Sequence, residues 1–170
     1  MCAERWRTVV FGSPHRLDLK LYCTPNTPVK DRLDVWPALP LIIDSTSSSS
    51  NIIAALEQSD HICQVLRLTN LELEQVLTPM QVPFPELKDL ELFSYDETRI
   101  IPDSFLGGSA RCLQTLSLDS IPFPGLPRLL LSATHITHLY LYSIPHSGYI
   151  SPQVMIAPLS MLSSLRTLYL

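Results

Sequence analysis

The chain has 170 residues, 46% of them hydrophobic and 16% charged, with 15 prolines against 5 glycines. This excludes a charge-rich disordered chain and favours many short, punctuated elements over a few long ones. Twelve basic against sixteen acidic residues leave a formal charge of −4, so no global field draws nucleic acid or an anionic membrane. At the N-terminus the apolar run Val9-Val10-Phe11 is broken at once by Gly12-Ser13-Pro14, unlike a signal peptide, and no stretch approaches the roughly 20 apolar residues of a membrane-spanning helix. The expectation is an intracellular chain, cytoplasmic or nuclear. The cysteines Cys2, Cys23, Cys63 and Cys112 are scattered without a C-x-x-C pair and read as reduced, mostly buried thiols.

A repeat organises most of the chain. The frame L-x-x-L-x-L stands at Leu87/Leu90/Leu92, Leu113/Leu116/Leu118, Ile136/Leu139/Leu141 and Leu165/Leu168/Leu170. A fifth copy, Cys63/Leu66/Leu68, has cysteine in its first slot, and two weaker ones precede it at Pro14/Leu17/Leu19 and Ala38/Leu41/Ile43. Aligned on Leu17, Leu41, Leu66, Leu90, Leu116, Leu139 and Leu168, the copies are 24, 25, 24, 26, 23 and 29 residues apart, the spacing of leucine-rich repeats. In a strand alternate side chains share a face, so the last two apolar positions of each copy point inward. No single copy can cover its own apolar face, whereas a parallel stack makes one continuous leucine core.

Parallel strands need a return segment, and the residues between copies supply short ones. Asn51 to Gln58 reads as the clearest helix, with Ser47 to Ser50 available to cap it. Leu71 to Leu77, Pro127 to Ser132 and Pro152 to Leu162, the last interrupted by Pro158, are further candidates. Pro83-Phe84-Pro85 and Pro122-Phe123-Pro124 suggest extended or turn backbone carrying an aromatic inward. The fold class expected is α/β: an irregular leucine-rich-repeat solenoid of parallel strands, with short helices or turns on its convex side.

Chemistry-bearing motifs are sparse. His135-x-x-His138 with His146 has loosely metal-like spacing, but no cysteine lies close in sequence and His138 falls at an outward strand position, so no metal site is assigned. His61-x-Cys63 reads as a turn histidine beside a core thiol, and Gly107-Gly108-Ser109 as the end of a short helix or turn. Asp89, Glu91, Asp96 and Glu97 read as a solvated face. No nucleophile elbow, phosphate-binding glycine loop or His-Glu-x-x-His is present. The sequence therefore assigns no catalytic residue, cofactor or enzymatic activity.

Two features together resemble F-box proteins with leucine-rich repeats, of the fungal type. One is the repeat array. The other is Cys2-Ala3-Glu4-Arg5-Trp6-Arg7-Thr8-Val9-Val10-Phe11-Gly12-Ser13-Pro14, which is similar to the last helix of an F-box. The resemblance implies a remnant of that helix at 1–13 and an irregular repeat domain at 14–170. It also implies a substrate receptor of a Skp-cullin-F-box ubiquitin ligase, whose repeats hold a target protein and whose F-box holds the ligase adaptor. The earlier F-box helices have no counterpart ahead of Arg5-Trp6. The repeats also place Leu71, Tyr95, Ile121 and Ile144 where the family has Asn or Cys. Turns satisfied by local bonds or water are expected in place of an asparagine ladder. The last frame runs to Leu170 without a polar cap, so the expectation is a fragment prone to self-association. The alternative reading is a truncated, non-functional remnant without adaptor binding.

Between the inward leucines stand Asp18, Ile42, Arg67, Glu91, Ser117, Tyr140 and Tyr169. Two places further on come Lys20, Asp44, Thr69, Phe93, Asp119 and Tyr142. These line the expected concave face, where solenoids bind partners. Arg67, Glu91, Phe93, Ser117, Tyr140, Tyr142 and Tyr169 are the candidate protein-binding residues, rich in types found at binding hot spots. The equally available reading is that aromatic residues simply suit strands.

Overall fold

The computed structural model describes residues 19–24, 26–36, 39–45, 51–57, 59–68, 73–94 and 99–170, without the side chains of 59, 66–68, 73 and 74. The F-box-like segment at 1–13 lies outside the described residues.

The fold is α/β. Seven strands, β1 (Leu19–Tyr22), β2 (Leu41–Asp44), β3 (Ile62–Leu68), β4 (Asp89–Phe93), β5 (Thr115–Asp119), β6 (His138–Tyr142) and β7 (Thr167–Tyr169), form one sheet in chain order. Every neighbouring pair is parallel. The cause is legible in Leu-x-Leu, the minimal alternation that buries one side of a strand. Leu90 and Leu92, Leu116 and Leu118, and Leu139 and Leu141 are buried, while the residues between them stay partly or fully exposed.

The returns are short helices: α1 (Val29–Val35), α2 (Asn51–Leu56), α3 (Leu73–Leu77), α4 (Leu126–Ser132) and α5 (Pro152–Met161). Tight 3-10 turns replace or extend them at Ser59–His61, Pro79–Gln81 and His146–Gly148, and Phe105–Gly108 forms a turn with Leu106 and Gly107 in the left-handed region, at φ 52° and 63°. Helix α1 was not expected from the sequence, although Val29, Leu33 and Trp36 recur at helical spacing and pack on the core. Pro158 does not interrupt α5 as expected: it sits inside the helix, buried. Burying its ring against the core offsets the amide bond it cannot make. Apolar residues of the helices and the inward residues of β1 to β6 form one hydrophobic cluster reaching from Leu21 to Leu162, so the helices cover one face of the sheet. Among the described residues no helix is long and apolar enough to cross a membrane.

The later units are built alike at the backbone. Each strand is entered through a tight turn in which the amide of Leu87, Leu113, Ile136 or Leu165 donates to the carbonyl three residues earlier, at 3.0–3.3 Å. One residue on, a carbonyl accepts two amides from the next unit: Lys88 from Gln114 and Thr115, Gln114 from Thr137 and His138, Thr137 from Arg166 and Thr167. Past the strands the ladder runs one residue further, the Ser94 amide donating to Asp119 and the Ser120 amide to Tyr142 at 3.1 and 2.9 Å. Bonds from unit to unit thus accompany the local bonds of these turns. Ser120 and Ser143 hold the left-handed backbone there, at φ 58° and 48°, and Ile121 turns into the core behind Ser120.

The first three copies are shifted from the sequence alignment. Leu21 and Ile43 share a level with Val65 and Leu90, so the positions corresponding to Leu90 are Leu21, Ile43 and Val65 in place of Leu17, Leu41 and Leu66. The corrected spacings are 22, 22, 25, 26, 23 and 29 residues. Two neighbouring apolar pairs, Ile62-Cys63 and Val65-Leu66, allow either frame in β3, and the sheet uses the earlier one. A bulge between Val65 and Leu68 absorbs the extra residue and brings Leu68 level with Leu92.

Two stability differences are expected from this packing. Leu116→Ala, at a fully buried position with a strand on either side, is expected to cost about 2–5 kcal/mol. Leu168→Ala, at the same level in the edge strand but 41% exposed, is expected to cost about 1 kcal/mol or less; urea midpoints compare them. At Ser143 the left-handed backbone penalises a β-branched side chain, so Ser143→Val is expected to lose about 1–2 kcal/mol, whereas Ser143→Gly loses none, read by thermal denaturation.

Candidate functional site

The sheet face away from the helices brings the predicted residues into rows. Glu91, Ser117, Tyr140 and Tyr169 are register partners across β4 to β7, and Phe93, Asp119 and Tyr142 form the next row along β4 to β6. Glu91 and Tyr169 are exposed, and Phe93, Ser117, Tyr140 and Tyr142 are partly buried. The side chain of Arg67 lies outside the described residues, as do Asp18 and Thr69. The bulge in β3 removes the simple pairing of Arg67 with Glu91, because Val65 meets Leu90 and Leu68 meets Leu92.

Ile42 does not join the Glu91 row. It lies level with Lys20 and Gln64, and Gln64 in turn with Asp89, so Tyr22 and Asp44 occupy the next row instead. Tyr22 is hidden when the first frame is aligned on Leu17 rather than Leu21. Its signal is the alternation Leu19-Lys20-Leu21-Tyr22-Cys23, with Leu21 and Cys23 buried and Lys20 and Tyr22 exposed. His138, weighed in the sequence as a metal ligand, instead heads an aromatic row.

That row runs along β6 and reaches Tyr169 of β7. The rings of His138 and Tyr140 lie 6.3 Å apart and within 16° of parallel, and those of Tyr140 and Tyr142 lie 5.8 Å apart and within 11°. Tyr169, on β7, closes on Tyr142 at 4.9 Å with a tilt of 49°. Alternate residues of one strand stand about 6.6 Å apart, so the strand itself sets the ring spacing. Desolvation against these neighbours, then the adjacent Tyr140, Tyr169 and Asp119, raises the pKa of Tyr142.

Polar partners divide the face. On β1 and β2 the Lys20 ammonium pairs with the Asp44 carboxylate at 3.0 Å and lies 4.9 Å above the Tyr22 ring. The hydrogen bond to Asp44, and then that to Tyr22, raises the pKa of Lys20. The other Asp44 oxygen, Oδ1, is buried without a hydrogen-bond partner among the described residues. Beside it the Cys23 thiol is pushed up to about 11, first by burial and then by Asp44. In the middle of the sheet the Gln64 amide donates to Asp89 at 2.7 Å. Of the outward residues of β4 to β7, Asp89, Glu91 and Asp119 are carboxylates and none is Lys or Arg.

Of the remaining candidates, Asp96 and Glu97 lie outside the described residues, and His135, His138 and Cys63 are engaged in local or backbone hydrogen bonds. His135 Nδ1–H donates to the Arg111 carbonyl at 2.8 Å, and His138 Nδ1 shares a 2.7 Å hydrogen bond with the Thr137 hydroxyl. Cys63 donates its thiol to the Leu41 carbonyl at 3.4 Å. Among the described residues no three His, Cys, Asp or Glu side chains come together as metal ligands. A cavity of about 590 Å³ lies on the helix side, lined by Leu118, Ile121, Leu141, Met155 and Leu159 among others. Its walls are suited to apolar groups.

Two titrations probe these environments. Spectrophotometric titration is expected to show a tyrosine component raised from the ordinary value that is lost in Tyr142→Phe. For Cys23 the folded state holds its proton above the ordinary 9.0, up to about 11. Its contribution to stability is therefore complete below pH 9 and lost as pH rises through about 11. Denaturation midpoints compared across that window are expected to fall less in Cys23→Ala than in the parent chain. Comparison of the chain with protein-family models, curated proteins and solved structures returns no match.

Proposed function

We propose that the chain is a protein-binding module built as an irregular leucine-rich-repeat solenoid, with the open sheet face as its binding surface. Near-constant spacing, sequential parallel strands and the recurring turn and forked hydrogen bond support the repeat reading. Outward tyrosines carry the functional reading. Tyr140, Tyr142 and Tyr169 stand in adjoining rows on a face the helices leave uncovered. Tyrosine presents a large, rigid contact at small entropic cost, which is why it concentrates in interfaces. The strands hold these rings in place before any partner arrives, which lowers the ordering cost of binding.

The resemblance of residues 2–14 to an F-box helix extends this to a role: the target-recognition part of an F-box-like ubiquitin-ligase receptor, with a protein target on the sheet and the ligase adaptor at the N-terminus. Affinity capture tests both. Partners bound by the parent chain are expected to be lost from a variant carrying Arg67→Glu, Tyr140→Ala and Tyr142→Ala with unchanged circular dichroism. Identical capture by both chains would remove the sheet face as the binding site. Retention of the ligase adaptor by the parent, with loss on Trp6→Ala, is the outcome expected of the receptor role; no adaptor in either capture excludes it.

A further inference from the structure

We propose that the occupant of the β4–β7 face is an extended basic segment of a partner protein, its cations pairing with Glu91 and Asp119 beside the tyrosine row. This rests on the protein-binding reading and adds the chemistry of the partner. Charge complementarity carries it. The outward positions of β4 to β7 hold three carboxylates and no Lys or Arg. Asp89 already accepts the Gln64 amide. Among the described residues Glu91 has no ion pair, and the Asp119 carboxylate accepts only the neighbouring Ser120 hydroxyl, at 2.9 Å on one of its two oxygens. The one outward lysine of β1 is committed to Asp44 at 3.0 Å.

Register fixes what such a segment meets. Glu91 is level with Ser117 and Tyr140, and Asp119 is level with Tyr142 and Phe93. The two carboxylates therefore lie on a diagonal, one strand across and two residues along, about 8 Å from Cα to Cα. Cations at alternate positions of an extended chain, about 7 Å apart, span nearly that distance. Tyr142 and Tyr169 flank the Asp119 end and bring phenol oxygens that accept from an ammonium or guanidinium.

A nucleic acid fits the same face poorly. Its phosphates meet the carboxylates, and 5.8 Å between the rings of Tyr140 and Tyr142 leaves no slot for a base, which needs about 7 Å for two van der Waals contacts.

The test uses the whole chain and a labelled peptide with arginine at alternate positions among glycine and serine, followed by fluorescence anisotropy. Twins carry glutamine or glutamate in place of arginine, and oligothymidine serves as the polyanion. The arginine peptide is expected to bind more weakly as salt rises and to lose about tenfold in Glu91→Gln/Asp119→Asn, the sum of two exposed charge pairs. These substitutions keep side-chain size, and equal urea midpoints establish that the fold is intact. Equal binding of the glutamine twin, preference for the glutamate twin, binding of oligothymidine at this face, or an unchanged affinity in the double variant each overturns the proposal. Failure of the arginine peptide to bind, while the Tyr140→Ala/Tyr142→Ala chain still loses its captured partner, sinks the basic-segment inference and leaves the protein-binding reading standing.

Discussion

Everything in this molecule depends on the level at which one strand meets the next. A parallel ladder ties each backbone amide to a carbonyl on its neighbour, and side chains alternate with a period of two, so a slip of one residue exchanges the buried and exposed faces of a strand. From β4 to β7 that level is maintained without a shift. The buried leucines of β4 to β6 consequently stack on one side, while Glu91, Ser117, Tyr140 and Tyr169 share a row on the other. The candidate site is thus the reverse face of the core, and the forces that bury Leu116 and Leu139 are also those that present Ser117 and Tyr140.

Where leucines dominate, the sequence is enough to recover this arrangement. Leu90, Leu116 and Leu139 fall at the expected level because the residues on either side of each are polar or aromatic and only one alternation buries the leucines. Legibility fails in β3 for a physical reason. Ile62, Cys63, Val65 and Leu66 are all apolar, so two alternations bury comparable area and side-chain identity alone does not choose between them. Hydrogen-bond continuity with β2 and β4 decides, and the bulge reconciles the remainder. The same uncertainty hid Tyr22 from the face, since β1 takes its level from β3 through β2. Helix α1 follows directly on Pro28, and a proline at a helix start costs little.

The open face has two electrostatic regions with different internal balance. On β1 and β2 opposite charges pair, Lys20 with one oxygen of Asp44, and Cys23 is buried behind them. On β4 to β7 acidic groups accompany aromatic rings without a matching cation among the outward strand residues. These regions belong to one parallel sheet, and they differ in the outward residues between the buried apolar positions. Such positions bear little of the folding energy, so chemistry there can vary while the backbone scheme stays constant.

The bulge in β3 has a consequence for how such a chain tolerates change in its length. An added residue in a strictly paired strand inverts every position beyond it, yet here the surplus is confined between Val65 and Leu68, and Leu68 stands level with Leu92. The irregularity works as an expansion joint: units of 22 residues on one side of it and of 23 to 29 on the other share a single sheet and a single core. A parallel sheet with this device can accommodate residues gained or lost at the joint without exchanging the faces of the strands beyond it.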